Sequence, residues 1–392
     1  MKSFATVLVP IMFIFLRLIS PETSEAFFRE GVSYAVNSPR SIATEDFNED
    51  GHLDLAVASR SLGSNVFILT GSAHGTFTVA GSFGSGIASN TCIIAGDFNK
   101  DKHLDLAVTE YEHDFGGNAD LLILLGNGDG SFQDATPYYA GQHPESITTA
   151  DFDKDGNLDL AVASKDYWAV LFYRGNGDGS FQQGQTIFSI VGPNFVTATD
   201  LNGDTYPDIA VASPEKRNDE YVIYILLGNG DGTFQNATYY PAGGRSFCIA
   251  FGDFNGDTKV DLAVANYDSN NVCVLLGNGD GTFATPVAYP VGTDPIAITA
   301  EDFDGDTSLD FVVANFGSTS ISVLRGKGDG NFVGAVTYEV GQAPASTDTG
   351  DFNRDGYVDL AVANYDSNDV SILINTGHPS DSGPCFIEAV AF

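Results

Sequence analysis

The sequence predicts an all-β chain folded as a seven-bladed β-propeller of four-stranded blades, closed by an N-terminal strand that completes the last blade. Three observations predict it. A nine-residue acidic pattern recurs seven times, a glycine-rich turn recurs in phase with it, and short apolar runs separate the two. Self-similarity at a period of about fifty residues is the signature of a propeller blade.

The acidic pattern carries Asp at its first, fifth and ninth positions and Asn or Asp at its third. Its copies begin at Asp46, Asp97, Asp151, Asp200, Asp253, Asp302 and Asp351, so successive starts lie 51, 54, 49, 53, 49 and 49 residues apart. Read at positions one, three, five, seven and nine, the first loop offers Asp46, Asn48, Asp50, His52 and Asp54, and the second Asp97, Asn99, Asp101, His103 and Asp105. The third offers Asp151, Asp153, Asp155, Asn157 and Asp159, and the fourth Asp200, Asn202, Asp204, Tyr206 and Asp208. The fifth has Asp253, Asn255, Asp257, Lys259 and Asp261; the sixth has Asp302, Asp304, Asp306, Ser308 and Asp310. The seventh closes the series with Asp351, Asn353, Asp355, Tyr357 and Asp359.

Each loop is followed by an apolar run, such as Leu262-Ala263-Val264-Ala265, too short for a helix and bounded by turn residues. Such a run is a strand. It does not alternate with polar residues, as expected of a sheet covered on both faces by neighbouring blades. A second run, Val272 to Leu276, leads into Gly-Asn-Gly-Asp-Gly-Thr-Phe at 277–283, which is hairpin chemistry. Equivalent turns stand at 126–132, 175–181 and 228–234, with looser versions at 71–77 and 326–332. Their Asp129, Asp178, Asp231, Asp280 and Asp329 are explained by turn geometry rather than metal binding. The Phe after each turn and the Phe of each Asp-Phe pair read as packing between blades.

The seventh repeat stops at Ile374-Asn375-Thr376-Gly377 without a fourth strand, and residues 27–40 supply it, with Phe28 placed before Asp46 much as Phe283 is before Asp302. The propeller therefore spans 27–377. Residues 1–26 read as a secretory signal, with Lys2, an apolar stretch from Phe4 to Phe15 and a small-residue cleavage site ending at Ala26. Pro10 and Arg17 leave this stretch short of a spanning helix, so no membrane insertion of the mature chain is expected. Residues 378–392 form a C-terminal tail of unassigned role, and Asn236-Ala237-Thr238 is a glycosylation sequon.

The formal net charge is −35, from 52 acidic and 17 basic residues. That excludes nucleic-acid and anionic-membrane partners, which need a positive surface, and calls for a cation. Four cysteines, Cys92, Cys248, Cys273 and Cys385, are too few and irregular for a disulfide framework and read as buried free thiols. Calcium takes six to eight hard oxygens, which alternating Asp and Asn on a tight loop can supply; the absence of Cys and a His side-chain pattern disfavours zinc and copper. Magnesium demands stricter octahedral geometry. An EF-hand needs a Glu at its twelfth position and flanking helices, and neither is present.

The strings D-F-N-x-D-G-x-x-D-L-A-V-A and L-L-G-N-G-D-G-T-F resemble FG-GAP or VCBS repeats, as in integrin α-subunit propellers and many secreted bacterial proteins, over about residues 28–377. The resemblance implies up to seven Ca2+ ions, held by side chains at loop positions one, three, five and nine and by the main-chain carbonyl at position seven. Gly is expected at position six, where Lys102, Thr205, Thr258 and Thr307 stand instead; Gly203, Gly256 and Gly305 at position four offer compensation. Loops one, three and seven are accordingly expected to bind best.

In an up-and-down blade the acidic loops and glycine turns share one face, and the other face carries the loops that vary most between repeats. The resemblance implies that this second face meets partners. Tyr111, His113 and Phe115 in repeat two and Tyr167 and Trp168 in repeat three are candidates there for an aromatic platform. The expected function is a secreted, monomeric, non-enzymatic recognition or adhesion module for an extracellular protein or glycan. A calcium-dependent lectin is the nearest alternative. A polysaccharide-processing enzyme, or an accessory domain of one, is the alternative of another class. No Ser/His/Asp or Cys/His constellation stands apart from the repeats, which fill nearly all of the mature chain.

Overall fold

A computed structural model describes residues 27–29, 31–61, 65–84, 89–111 and 120–377. The expected leader at 1–26, the C-terminal tail with Cys385, and the candidates His113 and Phe115 lie outside the described residues. Among the described residues no helix is long and apolar enough to cross a membrane. Among the described residues, twenty-eight strands form seven antiparallel four-stranded sheets.

Blade five shows how sequence becomes blade. Its strands are Ser246–Gly252, Asp261–Asn266, Asn271–Leu275 and Val287–Pro290, paired in chain order. Register is fixed by Gly252 opposite Asp261, Leu262 opposite Leu275 and Asn271 opposite Pro290. Leu262, Ala263, Val264 and Ala265 are all fully buried, so the run without polar alternation does lie in a sheet covered on both faces.

The core sits between blades rather than at the axis. One cluster joins Ala250, Phe254 and Val272 of blade five to Ile298, Phe311 and Phe332 of blade six, and six like it fill the remaining joints. The Phe at loop position two meets the turn Phe of the following blade edge-on: Phe47 with Phe132 at 5.9 Å, Phe98 with Phe181 at 5.5 Å, Phe254 with Phe332 at 6.0 Å. Such pairs contribute ~0.5–1.5 kcal/mol each beyond their area.

The ring closes as the repeat arithmetic requires. Val32–Ala35 pairs with Asp369–Leu373 as the fourth strand of blade seven. Phe28 bridges Asn375 and packs edge-on against Phe303 at 5.6 Å, so it serves as the turn Phe that repeat seven lacks.

The first strands line the axis, and most begin with a bulge. The pairing skips one residue between Pro39 and Ser41, Asn90 and Cys92, Pro144 and Ser146, Ser246 and Cys248, Pro295 and Ala297, and Pro344 and Ser346. A bulge leaves one residue unpaired and re-aims its side chain. Those residues, Arg40, Thr91, Glu145, Phe247, Ile296 and Ala345, all line a cavity of about 310 Å³ on the axis. Cys92 and Cys248 line it too; both are free, as is Cys273, but Cys92 is half-buried rather than buried as expected.

Candidate metal centres and the opposite face

Each acidic loop is a ladder of side-chain turns. In loop one Asp46 accepts the main-chain N–H groups of Asp50 and Gly51, Asn48 Oδ1 accepts that of Asp50, and Asp50 Oδ1 accepts that of His52. Asp and Asn favour this geometry because their short side chains reach the backbone two residues on. Every carboxylate retains lone pairs beyond those bonds.

Position nine is different. Asp54, Asp105, Asp208, Asp261, Asp310 and Asp359 are fully buried, and Asp159 nearly so. In blade five Asp261 Oδ2 accepts from Phe254 N at 2.9 Å and Oδ1 from Gly277 N at 2.7 Å. The same two bonds, to position two of its loop and to the head of its own glycine turn, recur in the other blades, with Asn375 replacing glycine in blade seven. This aspartate is therefore a latch as well as a candidate ligand. Burial, with the nearby carboxylates of positions one and five, pushes Asp54, Asp105, Asp208 and Asp359 up to about 6 against the pull of those N–H donors. Asp159 rises likewise to about 6, by burial and the carboxylates at positions three and five. Burial and the carboxylates of Asp304 and Asp306 take Asp310 to about 7.

The loops are tied into the joints between blades. The carbonyl of position two accepts an N–H from the next blade's glycine turn: Gly130 to Phe47, Gly179 to Phe98, Gly232 to Phe152, Gly281 to Leu201 and Gly330 to Phe254. For loop six that turn is missing, because the chain is split there. The Asn375 side chain takes its place, donating from Nδ2 to the Phe303 carbonyl at 2.8 Å. The turn aspartates cap their own turns, as Asp129 does by accepting Ser131 N at 3.0 Å.

Positions four and six are both left-handed in all seven loops. At position six φ is 84° for Gly51 and 90° for Gly356 but 73°, 68° and 72° for Thr205, Thr258 and Thr307. Position four runs from 58° at Glu49 to 77° at Gly203. Six loops place glycine at one of the two. Loop two, with Lys100 at 62° and Lys102 at 75°, has it at neither, and a left-handed non-glycine residue costs ~1–2 kcal/mol. Of the four loops that lack glycine at position six, strain therefore singles out loop two.

The donor set suits a hard divalent cation. Carboxylate oxygens of Asp151, Asp153 and Asp159, and likewise of Asp302, Asp304 and Asp310, lie within 4.8 Å of one another. In the other five loops position three is Asn and contributes an amide oxygen. At position seven, His103 turns its ring out of its loop to Glu49 of loop one, so what this position offers is its main-chain carbonyl.

A further pairing, absent from the sequence candidates, runs through the repeats. Where position three is Asp, an Arg stands just before the glycine turn of the same blade. Arg325 donates to Asp304 from Nε at 2.9 Å and from Nη2, and Arg174 Nε lies 3.7 Å from Asp153. Where position three is Asn, that site is Thr70, Leu125, Leu227, Leu276 or Ile374. The extra carboxylate thus comes with its own cation. Asp304 is buried, so Arg325→Leu is expected to destabilise by ~3 kcal/mol or more. Adding Asp304→Asn should recover most of that loss, because it restores the combination of the other five blades. Denaturant melts of the single and double variants check this; additive losses would refute the coupling.

On the opposite face the aromatic candidates fall into separate contacts. Tyr111 stacks on His143 at 3.9 Å, while Tyr167 packs edge-on to Tyr139 and tilted against Phe188. Trp168 is 51% exposed, Phe188 57% and Tyr139 40%. Tyr139, His143 and Phe188 were not among the sequence candidates, because they belong to strands and connections that carry no motif.

FG-GAP-like repeat models match residues 46–108, 114–162, 151–211, 200–264, 253–313 and 302–362. Among curated proteins none matches this sequence. Similar solved structures include a lectin of Agrocybe aegerita that recognises non-reducing terminal N-acetylglucosamine, with 19% identity and a TM-score of 0.53, covering 85% of this chain and 87% of the lectin. They also include BBS1N in complex with ARL6DN, with 14% identity and a TM-score of 0.62, covering 89% of this chain and 97% of that one. At these identities the likeness is one of fold.

Proposed function

The chain belongs to the FG-GAP-like repeat family, and on that premise we propose that it is a secreted, calcium-stiffened recognition module that binds an extracellular glycan or protein without turning it over. One observation carries the reading. The acidic loops sit on one face, six of the seven tied into the joint with the next blade, while the loops that differ between repeats gather on the other. Calcium at the first face holds neighbouring blades in register; a rigid scaffold then presents the second face.

The same ligand set would serve in each loop: side chains at positions one, three, five and nine and the carbonyl at position seven. When bound, calcium supplies charge compensation for the clustered carboxylates. Position two spreads its effect, since its N–H is held by the position-nine Asp and its carbonyl by the next blade. The leader at 1–26 supports export, where calcium is plentiful.

A lectin recognising terminal N-acetylglucosamine and BBS1N, solved in complex with ARL6DN, share the fold, and both glycan and protein ligands suit a varied loop face. The test is a screen of the calcium-loaded mature chain against glycan arrays and extracellular protein ectodomains, with each hit assayed for product release. Saturable binding without turnover is expected. Reproducible product release would overturn the non-enzymatic reading.

A further inference from the structure

The axis opens on the face away from the acidic loops into a cavity of about 270 Å³. Its walls differ in kind. Arg40, Arg60 and Arg245 supply three guanidinium groups, and Tyr267, Phe316 and Tyr365, with Phe247 and Ile296, supply a largely aromatic arc across blades five to seven. In a chain with only 17 basic residues and a net charge of −35, three arginines gather at this one opening, with Asp268 and Asp294 at its rim beside Tyr267.

These cations are poorly matched within the protein. Among the described residues the Arg40 and Arg60 guanidinium groups make no hydrogen bond or ion pair. Arg245 has only Asp268, at 3.7 Å, and lies over the rings of Phe247 at 5.3 Å and Tyr267 at 5.5 Å. Glu145, the acidic member of the bulge ring, is already held by His143 at 3.1 Å and Lys165 at 3.8 Å. Burial and the neighbouring Arg60 both press Arg40 towards losing its charge, while Glu145 opposes them. A half-buried guanidinium with Glu145 near it but beyond ion-pair distance is costly, and an anion would offset the cost.

The bulges build this site. Arg40 and Phe247 are the unpaired residues of their first strands and so point to the axis, whereas Arg60, Tyr267, Phe316 and Tyr365 directly follow second strands. The repeat itself holds them in place, so little ordering is needed on binding.

We propose that this opening binds one acidic sugar residue, a uronic acid or a sulfated hexose, with its anion on the arginines and its ring against the aromatic arc. The inference rests on the recognition-module reading and names a site and ligand class for it. A pyranose acid joins a rigid C–H face to an anion on one ring, matching both walls. The cavity lies just below the ~300–1,000 Å³ typical of small-ligand sites, so it takes a terminal residue rather than a run of chain.

Calorimetric titration of the calcium-loaded chain tests this with a galacturonic acid trimer, its methyl ester, a 6-sulfated galactose oligomer and a glutamate tripeptide. The acidic trimer or the sulfated oligomer should bind at least about tenfold tighter than the ester, and the stronger of the two identifies the anion. Arg60→Gln and Arg245→Gln, both at positions half open to solvent, should each weaken it by about tenfold with an unchanged melting temperature. Phe316→Ala should weaken all sugars alike. Equal affinity for acid and ester, insensitivity to both arginine variants, or preference for the peptide would overturn the proposal. Neutral-sugar binding untouched by the arginine variants would leave the recognition reading standing, whereas product release from any oligomer would remove it.

Discussion

Asp261→Ala lowers stability by roughly 2–6 kcal/mol, because it strands two buried N–H donors at ~1–3 kcal/mol each. The donors are Phe254 N and Gly277 N, which share the one carboxylate. The loss spreads beyond blade five, since the Phe254 carbonyl accepts Gly330 N–H and its ring packs on Phe311 and Phe332 of blade six. Asp261→Asn should fall between, keeping one acceptor oxygen but turning an N–H2 towards a donor. Asp280→Ala is the control: that exposed aspartate caps only its own turn, through Thr282, and its loss should cost under about 1 kcal/mol. Equal losses for Asp261→Ala and Asp280→Ala, measured by denaturant unfolding, would contradict the latch.

Removing calcium with excess chelator should lower Tm by on the order of 10 °C. A site held at about a hundred times its Kd contributes ~2.7 kcal/mol, and in a chain of this length three such sites correspond to a shift of that size. The pH dependence sharpens the test. In the metal-free protein the position-nine carboxylates are raised, to about 6 at Asp54 and to about 7 at Asp310. A raised carboxyl makes the fold bind protons more tightly than the unfolded chain. Its stabilising contribution is complete below the ordinary carboxylate range and is lost as pH rises through about 6 to 7. With chelator, Tm should therefore rise on going from about pH 7.5 to about pH 5. With calcium the trend should reverse, because protons compete for the same oxygens. Glu145, held down to about 2 by His143, Arg40 and Lys165 despite its burial, acts only at lower pH and does not blur this window. Parallel pH profiles with and without calcium would count against the site.

The blade count, the strand runs and the closure by Phe28 were legible because each is a matter of spacing within one chain. A period near fifty admits few architectures, and Phe28 stands where a turn Phe must. The acidic loops were legible as loops for the same reason. What the spacing hides is everything that depends on ring geometry. The double use of position two, with its N–H inside the loop and its carbonyl across the joint, follows from how blades nest. No residue type marks it. Asn375, standing in for a missing turn with its side chain, looks like an ordinary loop residue until Phe303 is seen beside it.

The mouth of the axis was invisible for a different reason. Arg40 and Arg60 come from blade one, Arg245 and Tyr267 from blade five, Phe316 from blade six and Tyr365 from blade seven, so no local string joins them. The Asp153 and Arg174 pairing, by contrast, was there to be read. Arg precedes the glycine turn only in the two repeats whose third loop position is Asp rather than Asn. The expectation that loops two, four, five and six bind less well narrows to loop two for a structural reason, since two positions per loop are left-handed and glycine at either relieves one of them.

The measurement that bears most directly on the calcium-stapled propeller is a count of bound ions. The mature chain, stripped with chelator and dialysed against micromolar calcium, is assayed by atomic emission alongside a chain carrying Asp→Ala at position one of all seven loops. At least three calcium ions per wild-type chain and up to seven are expected, with loop two the first to be lost as free calcium falls. Less than one ion per chain, or a count the seven substitutions leave unchanged, would contradict it.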